Sequence, residues 1–435
     1  MTNEQSRIEN DKQMSDMAKV GCLYSYTNIC VPLATALVLP FIDNTKAIAS
    51  SQSHEIPYSI NTQAHLNVAG RINLGSFYTP AKYVAMIGEW LMKHGVNEEW
   101  TIADLSCGYG AFFELQEVKG LDKCHYVGND IDKKAVETGR KYFPKVQWME
   151  KNALFNISRE RFNFTQDEKL AIVGNPPYND ITSQINQNIK TNSVAIDFDI
   201  KTRDLGMSSL LAYNKLKADY VAVLHPLSYL IKKGNFKATS HFFSNYRILE
   251  HIVFASKEFA NTSKTTAFPI IAALYKRDEN QGLSYNDIYK MRFRTVEGDT
   301  FSLDSFDYIT DYVSKYPGSV RYKQEILFYT MRDINALKRS RTFIKDRIAN
   351  AVDIDPSKLA YYCYIDCFKR YAETPYWMGN FNVPFVKSEF DSITEAIIKD
   401  AKHHHPEIFG ICPTTNSTDA ELIRKYIKKS IRGKK

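Results

Sequence analysis

The chain has 435 residues, 44% hydrophobic and 24% charged, with a formal net charge of +7. That is apolar material for two or three folded domains, which excludes a disordered chain, and the basic excess suits a polyanionic partner without requiring one. Seven cysteines, odd in number and scattered, give no disulfide framework and fit a reducing compartment.

Residues 1–19 are polar and mixed in charge, unlike a secretory signal, so a cytoplasmic protein is expected. The one long apolar run, 29–42, is interrupted by Pro32 and Pro40 and falls short of the roughly 20 residues that cross a bilayer. It reads as core, with no membrane role. A Ser/Gln/Asn-rich connection over 50–67 belongs to an N-terminal extension, residues 1–70. A helix is expected over 80–93, with Thr79 as N-cap and Pro80 at its first position.

From residue 71 to 277 short apolar strands alternate with longer helical stretches, the pattern of a parallel α/β sheet. The first strand, 101–105, runs into Asp104-Leu105-Ser106-Cys107-Gly108-Tyr109-Gly110 and then a helix. The two glycines permit a tight turn and close backbone approach to a ligand, and Asp104 can meet a cationic or hydroxyl-bearing group there. The second strand, 125–129, ends in Asp130-Ile131-Asp132. An acid at that point can accept from both ribose hydroxyls of a nucleoside, with Ile131 against its base; Asp132 suits an N-cap for a helix over 133–142. The third, 146–149, leads to Asn152, an acceptor for an adenine amino group or an ordinary turn asparagine.

The fourth strand, 170–173, ends at Gly174 and is followed by Asn175-Pro176-Pro177-Tyr178. Asn175 offers a carbonyl acceptor, the proline pair keeps the backbone stiff and extended, and Tyr178 offers a flat face. Such a site fits an exocyclic amino group on a planar system. The Asn175 side chain and the Pro176 carbonyl can hold its two hydrogens and favour the pyramidal nitrogen needed for attack on an activated carbon, such as a sulfonium methyl. The plain alternative is a Pro-Pro turn after a strand. Strands over 220–224, 248–254 and 270–275 complete the sheet.

Residues 278–435 lose the alternation, are rich in Tyr, Phe, Lys and Arg, and are expected to form a separate recognition domain of short elements. Within 285–294, Lys290, Arg292 and Arg294 suit phosphates and base edges, or a solvated face. Cys363 and Cys367, four apart, read as core residues on one helical face. Together with His403, His404, His405 and Cys412 they match no zinc spacing, so no metal is expected. Glu117-Val118-Lys119 has the acid-x-lysine pattern of nuclease sites but lies inside the ligand-binding region. The last twelve residues carry Arg424, Lys425, Lys428, Lys429, Arg432, Lys434 and Lys435 with no acid, either a polyanion contact or a solvated end.

Taken in order with Gly75-Ser76-Phe77-Tyr78-Thr79-Pro80, these motifs resemble the amino-methylating DNA methyltransferases that use S-adenosylmethionine. They look like the gamma class of adenine-N6 enzymes, of restriction-modification type. The resemblance covers residues 70–277. It implies a Rossmann-like methyltransferase core over 71–277, a C-terminal target-recognition domain over 278–435, and double-stranded DNA and a cognate restriction endonuclease as partners. It also implies site roles. Thr79 and Pro80 would border the methionine moiety of the cofactor, and Asp104, Ser106, Gly108 and Gly110 its methionine end and loop. Asp130 would hold the ribose, beside the Ile131 face, and Asn152 the cofactor adenine. Asn175, Pro176, Pro177 and Tyr178 would form the catalytic pocket. Phe259 would face Tyr178 across the extruded base, with Phe254 and Phe268 as competitors, since a base inside a duplex must be flipped out to react.

Two residues depart from the family pattern: Leu105, where a proline often follows the acid, and Asn152, where aspartate is common. Other substrates share the tetrapeptide. Cytosine N4, RNA and protein glutamine are alternatives, as is a non-catalytic DNA-binding specificity partner.

Overall fold

The computed structural model describes residues 79–178, 195–259, 267–410 and 417–434. The N-terminal extension with its 29–42 run, the 75–78 part of the upstream segment, and Cys412 lie outside them.

Helix α1 (Ala81–Lys93) buries Tyr83, Val84, Ile87 and Leu91, one stripe at helical spacing. It begins one residue later than expected. Pro80, at ψ 137°, is still extended and takes the N-cap position without a side-chain cap bond. Its carbonyl accepts from the Tyr83 N–H at 2.9 Å, which leaves Thr79 outside the helix rather than capping it.

Seven strands form one sheet: β1 (Thr101–Asp104), β2 (His125–Asp130), β3 (Gln147–Glu150), β4 (Leu170–Gly174), β5 (Tyr220–Pro226), β6 (Tyr246–Ala255) and β7 (Pro269–Arg277), in the order β3-β2-β1-β4-β5-β7-β6. The pairs among β1 to β5 are parallel, and β7 runs antiparallel between β5 and β6. This is an α/β, Rossmann-like, mostly parallel sheet, as the alternation of strands and helices implied. The residues of β1, β4 and β5 are buried throughout, which is why they read as unbroken apolar runs. The chain winds outward in one direction through β2 and β3 and in the other through β4 and β5. A crevice therefore opens at the carboxyl ends of β1 and β4, the place where ligands bind in open α/β sheets.

One sheet face packs Ile102, Tyr126, Ala171, Val173 and Leu274 under α1, with Phe112, Phe113 and Trp148. The other packs Ala103, Val127, Ile172 and Val221 against α3 (Leu205–Lys215), after α2 (Lys133–Tyr142) has connected β2 to β3. The helix expected after the glycine loop is a 3-10 segment, Ala111–Glu117. Ala111, Phe112, Phe113 and Leu115 are all buried, so nearly every side of this turn faces the core rather than one stripe. The expected cap is present: Asp132 accepts from the Lys134 N–H at 2.9 Å at the start of α2.

After β5 come α4 (Ser228–Ile231), α5 (Lys233–Ala238) and α6 (Ser240–Phe243). Beyond β7 the chain forms short strands and the helices α7 (Tyr285–Lys290), α8 (Ile334–Arg339), α9 (Leu359–Tyr371), α10 (Thr394–His404), α11 (Pro406–Phe409) and α12 (Ser417–Arg432). Their apolar residues, among them Phe293, Phe328, Tyr364, Ile397 and Ile427, belong to the same continuous core as the α3 face of the sheet.

Cys363 and Cys367 are fully buried on α9, in keeping with their reading as core residues. Arg370 bridges Asp366 on α9 and Asp400 on α10, and His405 reaches Asp366 at 3.0 Å. The basic C-terminal stretch is largely a packed helix: α12 buries Ile423, Tyr426, Ile427 and Ser430. Lys429 pairs with Glu389, and Lys434 with Asp307 at 2.7 Å, while Lys425 and Lys428 are exposed. Among the described residues no helix is long and apolar enough to cross a membrane.

Candidate active site

The crevice is built from three strand ends. Asp104 closes β1 and is 2% exposed. Its Oδ1 accepts from the Ser106 N–H at 3.1 Å, which starts the loop. The loop then turns through Gly108 at φ +52° and Gly110 at φ +92°, a conformation that costs a side-chain-bearing residue energy. Gly110 also lacks room, since a Cβ there would stand 2.7 Å from Phe113 Cδ2. Gly108 has open space around it, and its N–H donates to Asp130 Oδ2 at 2.7 Å. The other Asp130 oxygen accepts from the Asp132 N–H at 2.8 Å. Asp130 thus ties the loop after β1 to the end of β2.

Burial pushes the Asp104 carboxyl up to about 8 against the Ser106 hydrogen bond, and the nearby Asp130 charge pushes the same way. Burial also raises Asp130, although the Asp132 and Gly108 N–H groups hold it down. Among the described residues neither carboxylate has a cationic partner. A buried acid and a partly exposed one at neighbouring strand ends could hold a ligand that carries positive charge and hydroxyl donors.

The Asn-Pro-Pro-Tyr tetrapeptide starts beside them. β4 is the parallel neighbour of β1, with Ala103 opposite Ile172, and a Cβ on Gly174 would stand 3.0 Å from Asp104 Oδ1. Asn175 therefore leaves the sheet next to the Asp104 carboxyl, because the residue before it has no side chain. Asn175 and Tyr178 are both partly exposed. The Tyr178 hydroxyl donates to Asn175 Oδ1; burial, together with the Asp204 charge and Tyr213, keeps that phenol protonated. Tyr178 packs on the apolar cluster that contains Phe254 and Phe259.

The remaining residues singled out from sequence take varied positions. Thr79 is buried and Pro80 partly exposed ahead of α1. Ile131, next to Asp130, is 47% exposed, an apolar side chain left in solvent at the mouth of the crevice. Asn152 is engaged at both ends of its amide: Oδ1 accepts from the Leu154 N–H at 2.9 Å and Nδ2 donates to the Ala195 carbonyl at 2.7 Å. Phe259 is 3% exposed and sits edge-on to Phe254 at 5.7 Å, and Phe254 in turn stacks on Tyr83 at 3.9 Å. Phe268 keeps part of its surface exposed.

The sequence matches no protein-family model and no curated protein. Solved structures show partial likeness. The type I restriction-modification methyltransferase subunit from Streptococcus thermophilus is 13% identical with a TM-score of 0.37, over 72% of this chain and 60% of that one. A class I S-adenosylmethionine-dependent methyltransferase assignment from Listeria monocytogenes is 12% identical with a TM-score of 0.38, over 55% and 69%. The 23S rRNA methyltransferase ErmE is 14% identical with a TM-score of 0.31, over 48% and 72%. Likenesses this partial are likenesses of fold.

Sequence reasoning missed Asn129. It is fully buried in β2, and its Nδ2 donates to the Leu105 carbonyl at 3.0 Å and the Lys151 carbonyl at 2.9 Å, joining the ends of β1 and β3 across β2. Its Oδ1 has no partner among the described residues. The available signal was an amide immediately before Asp130 at the end of an apolar strand, where only a hydrogen-bonding role offsets the cost of burial.

Proposed function

We propose that this protein is an S-adenosylmethionine-dependent methyltransferase that modifies an exocyclic amino group of a base in DNA, with adenine N6 as the preferred target. The observation that carries this reading is the juxtaposition of Asn175, with its rigid Pro176-Pro177 backbone, and the pair formed by the buried Asp104 and by Asp130 at one crevice. The residues suit the cofactor. Asp104 is a buried acid without a cation and Gly108 leaves open space, which suits the methionine end and its positive charge. Asp130 keeps lone pairs for ribose hydroxyls, and exposed Ile131 offers an apolar face for a purine. Thr79, Pro80, Ser106, Gly110 and Asn152 would line the rest. When bound, S-adenosylmethionine supplies a methyl group activated by its sulfonium.

The chain's own work is on the nitrogen. Asn175 Oδ1 and the Pro176 carbonyl accept the two amino hydrogens, drawing the nitrogen out of conjugation so that its lone pair is free for direct displacement. No covalent bond between enzyme and base is needed. For Tyr178 to stack on the base, its hydroxyl gives up Asn175 Oδ1, and the amino group takes that acceptor in its place. Double-stranded DNA as partner, a C-terminal recognition role for residues 278–435, and association with a restriction endonuclease belong to the same reading.

Expression in methylation-free cells followed by long-read mapping of modified bases tests it: N6-methyladenine at a defined site is expected. Asn175→Ala should abolish that mark while S-adenosylmethionine binding persists. Marks at cytosine N4, or undiminished marks in the variant, would displace the assignment.

A further inference from the structure

Gly206, the second residue of α3, lies against the Asn175–Tyr178 tetrapeptide. A Cβ there would stand 2.5 Å from the Tyr229 hydroxyl oxygen and 3.2 Å from the Pro177 carbonyl oxygen. The Tyr229 hydroxyl donates to Asp204 Oδ1. The same oxygen caps α3, accepting from the Gly206 N–H at 2.9 Å and the Met207 N–H at 3.4 Å. Asp204 and Tyr229 are both buried. Beneath them His225 lies parallel to the Tyr229 ring, centroids 5.3 Å apart and planes 7° apart, and meets the Tyr275 hydroxyl at 2.7 Å. A stack rooted in β5 and β7 thus ends, through one hydroxyl, one carboxylate and one glycine, at the backbone of Pro177.

That backbone has few soft torsions. Proline fixes φ at two successive residues and the second restricts ψ of the first, so a displaced Pro177 carbonyl either turns the Pro177–Tyr178 peptide, which carries the Tyr178 ring, or shifts the stiff Pro176–Pro177 unit and its carbonyl as a whole. We propose that Asp204, Gly206 and Tyr229 are positioning residues that set the Pro177–Tyr178 peptide, and through it both the amino-group acceptor at Pro176 and the stacking ring. This rests on the reading of residues 175–178 as the methyl-transfer pocket. None of the three reaches into that pocket in the proposed mechanism; they act through the tetrapeptide.

The test is single-turnover methylation of plasmid DNA from methylation-free cells, with enzyme in excess and tritiated S-adenosylmethionine. Rate constant and amplitude are read separately. Gly206→Ala should lower the rate constant on the order of tenfold, since the Pro177 carbonyl need give way by only a fraction of the 1 Å displacement that costs about a hundredfold at reacting groups. Amplitude and S-adenosylmethionine affinity should stay within about twofold, since the cofactor-binding loop is on other strands. Tyr229→Phe, which keeps the ring stack and removes the hydroxyl, should lower the rate constant about tenfold. Asp204→Asn retains an acceptor for both Tyr229 and the α3 N–H groups and should stay near wild type, while Asp204→Ala should fall with Tyr229→Phe. If Gly206→Ala fails to fold, Tyr229→Phe and the Asp204 pair decide. Unchanged rate constants, or a loss confined to amplitude, would overturn the positioning role. A wild-type protein that transfers no methyl group to DNA would instead overturn the reading beneath it.

Discussion

Asp104→Asn should make the protein more stable while weakening its hold on a cationic ligand, and the stability gain should grow with pH. The Asp104 carboxyl rises from an ordinary 3.8 to about 8, first because it is buried and then because Asp130 is close, with the Ser106 N–H opposing. Its folded value is raised, so its contribution to stability is fully present below about pH 4 and is lost as pH rises through about 8. Between those limits the unfolded chain has released a proton that the folded chain keeps. Stability then falls by about 1.4 kcal/mol per pH unit on account of this one group.

Asparagine has nearly the same shape, still accepts from Ser106 and does not titrate. The variant should therefore gain at most ~1.5 kcal/mol at pH 5 and ~4 kcal/mol at pH 7. Urea unfolding of both proteins at pH 5, 6 and 7 measures this directly. A gain equal at pH 5 and pH 7 would refute the assignment of a buried, protonated Asp104. The ligand side of the same equilibrium is open to calorimetry. A bound cation favours the carboxylate, so wild-type affinity for S-adenosylmethionine should tighten by up to ~tenfold per unit from pH 6 to 8 and level off above. Asp104→Asn should bind weakly with no such slope.

Asp130→Ala should weaken S-adenosylmethionine binding and also loosen the Gly108 turn it anchors; an unchanged dissociation constant would remove Asp130 from the ribose site. Deleting the C-terminal twelve residues would strip Tyr426 and Ile427 from the core, so the polyanion question belongs to point changes on the α12 surface. Replacing Lys425, Lys428 and Arg432 by glutamine should reduce the salt slope of DNA binding by about 0.9 for each phosphate that these side chains neutralise, and an unaltered slope would place this face away from DNA. Burial of the His405 ring opposes its charge, but Asp366 and Glu407 outweigh it and hold the ring above its ordinary value. That stabilisation is complete below the unfolded value of about 6.5 and disappears as pH passes the raised one. His405→Gln should therefore flatten the difference in melting temperature between pH 6 and pH 8, and an undiminished difference would assign it elsewhere.

Local pattern was enough for the sheet, for the two glycines of the first loop, for the Asp132 cap and for Asn175 at a strand end. Each of these is written in neighbouring residues: a strand buried on both faces is an unbroken apolar run, and a left-handed turn calls for glycine. The helical packing of the basic C-terminal residues was not legible for a related reason: charge dominates their composition, while the buried stripe of Ile423, Tyr426 and Ile427 shows only at helical spacing. What the tertiary structure alone decided is who meets whom across long stretches of chain. Asn129 joins three strand ends, Gly206 lies against Pro177, and Asp104 and Asp130 come together at neighbouring strand ends because the winding reverses between β1 and β4. Periodicity encodes that a residue is buried. The identity of its neighbour, and hence the protonation of Asp104 or the set of the Pro177 backbone, follows from crossovers that bring distant segments together, and no local pattern carries that information.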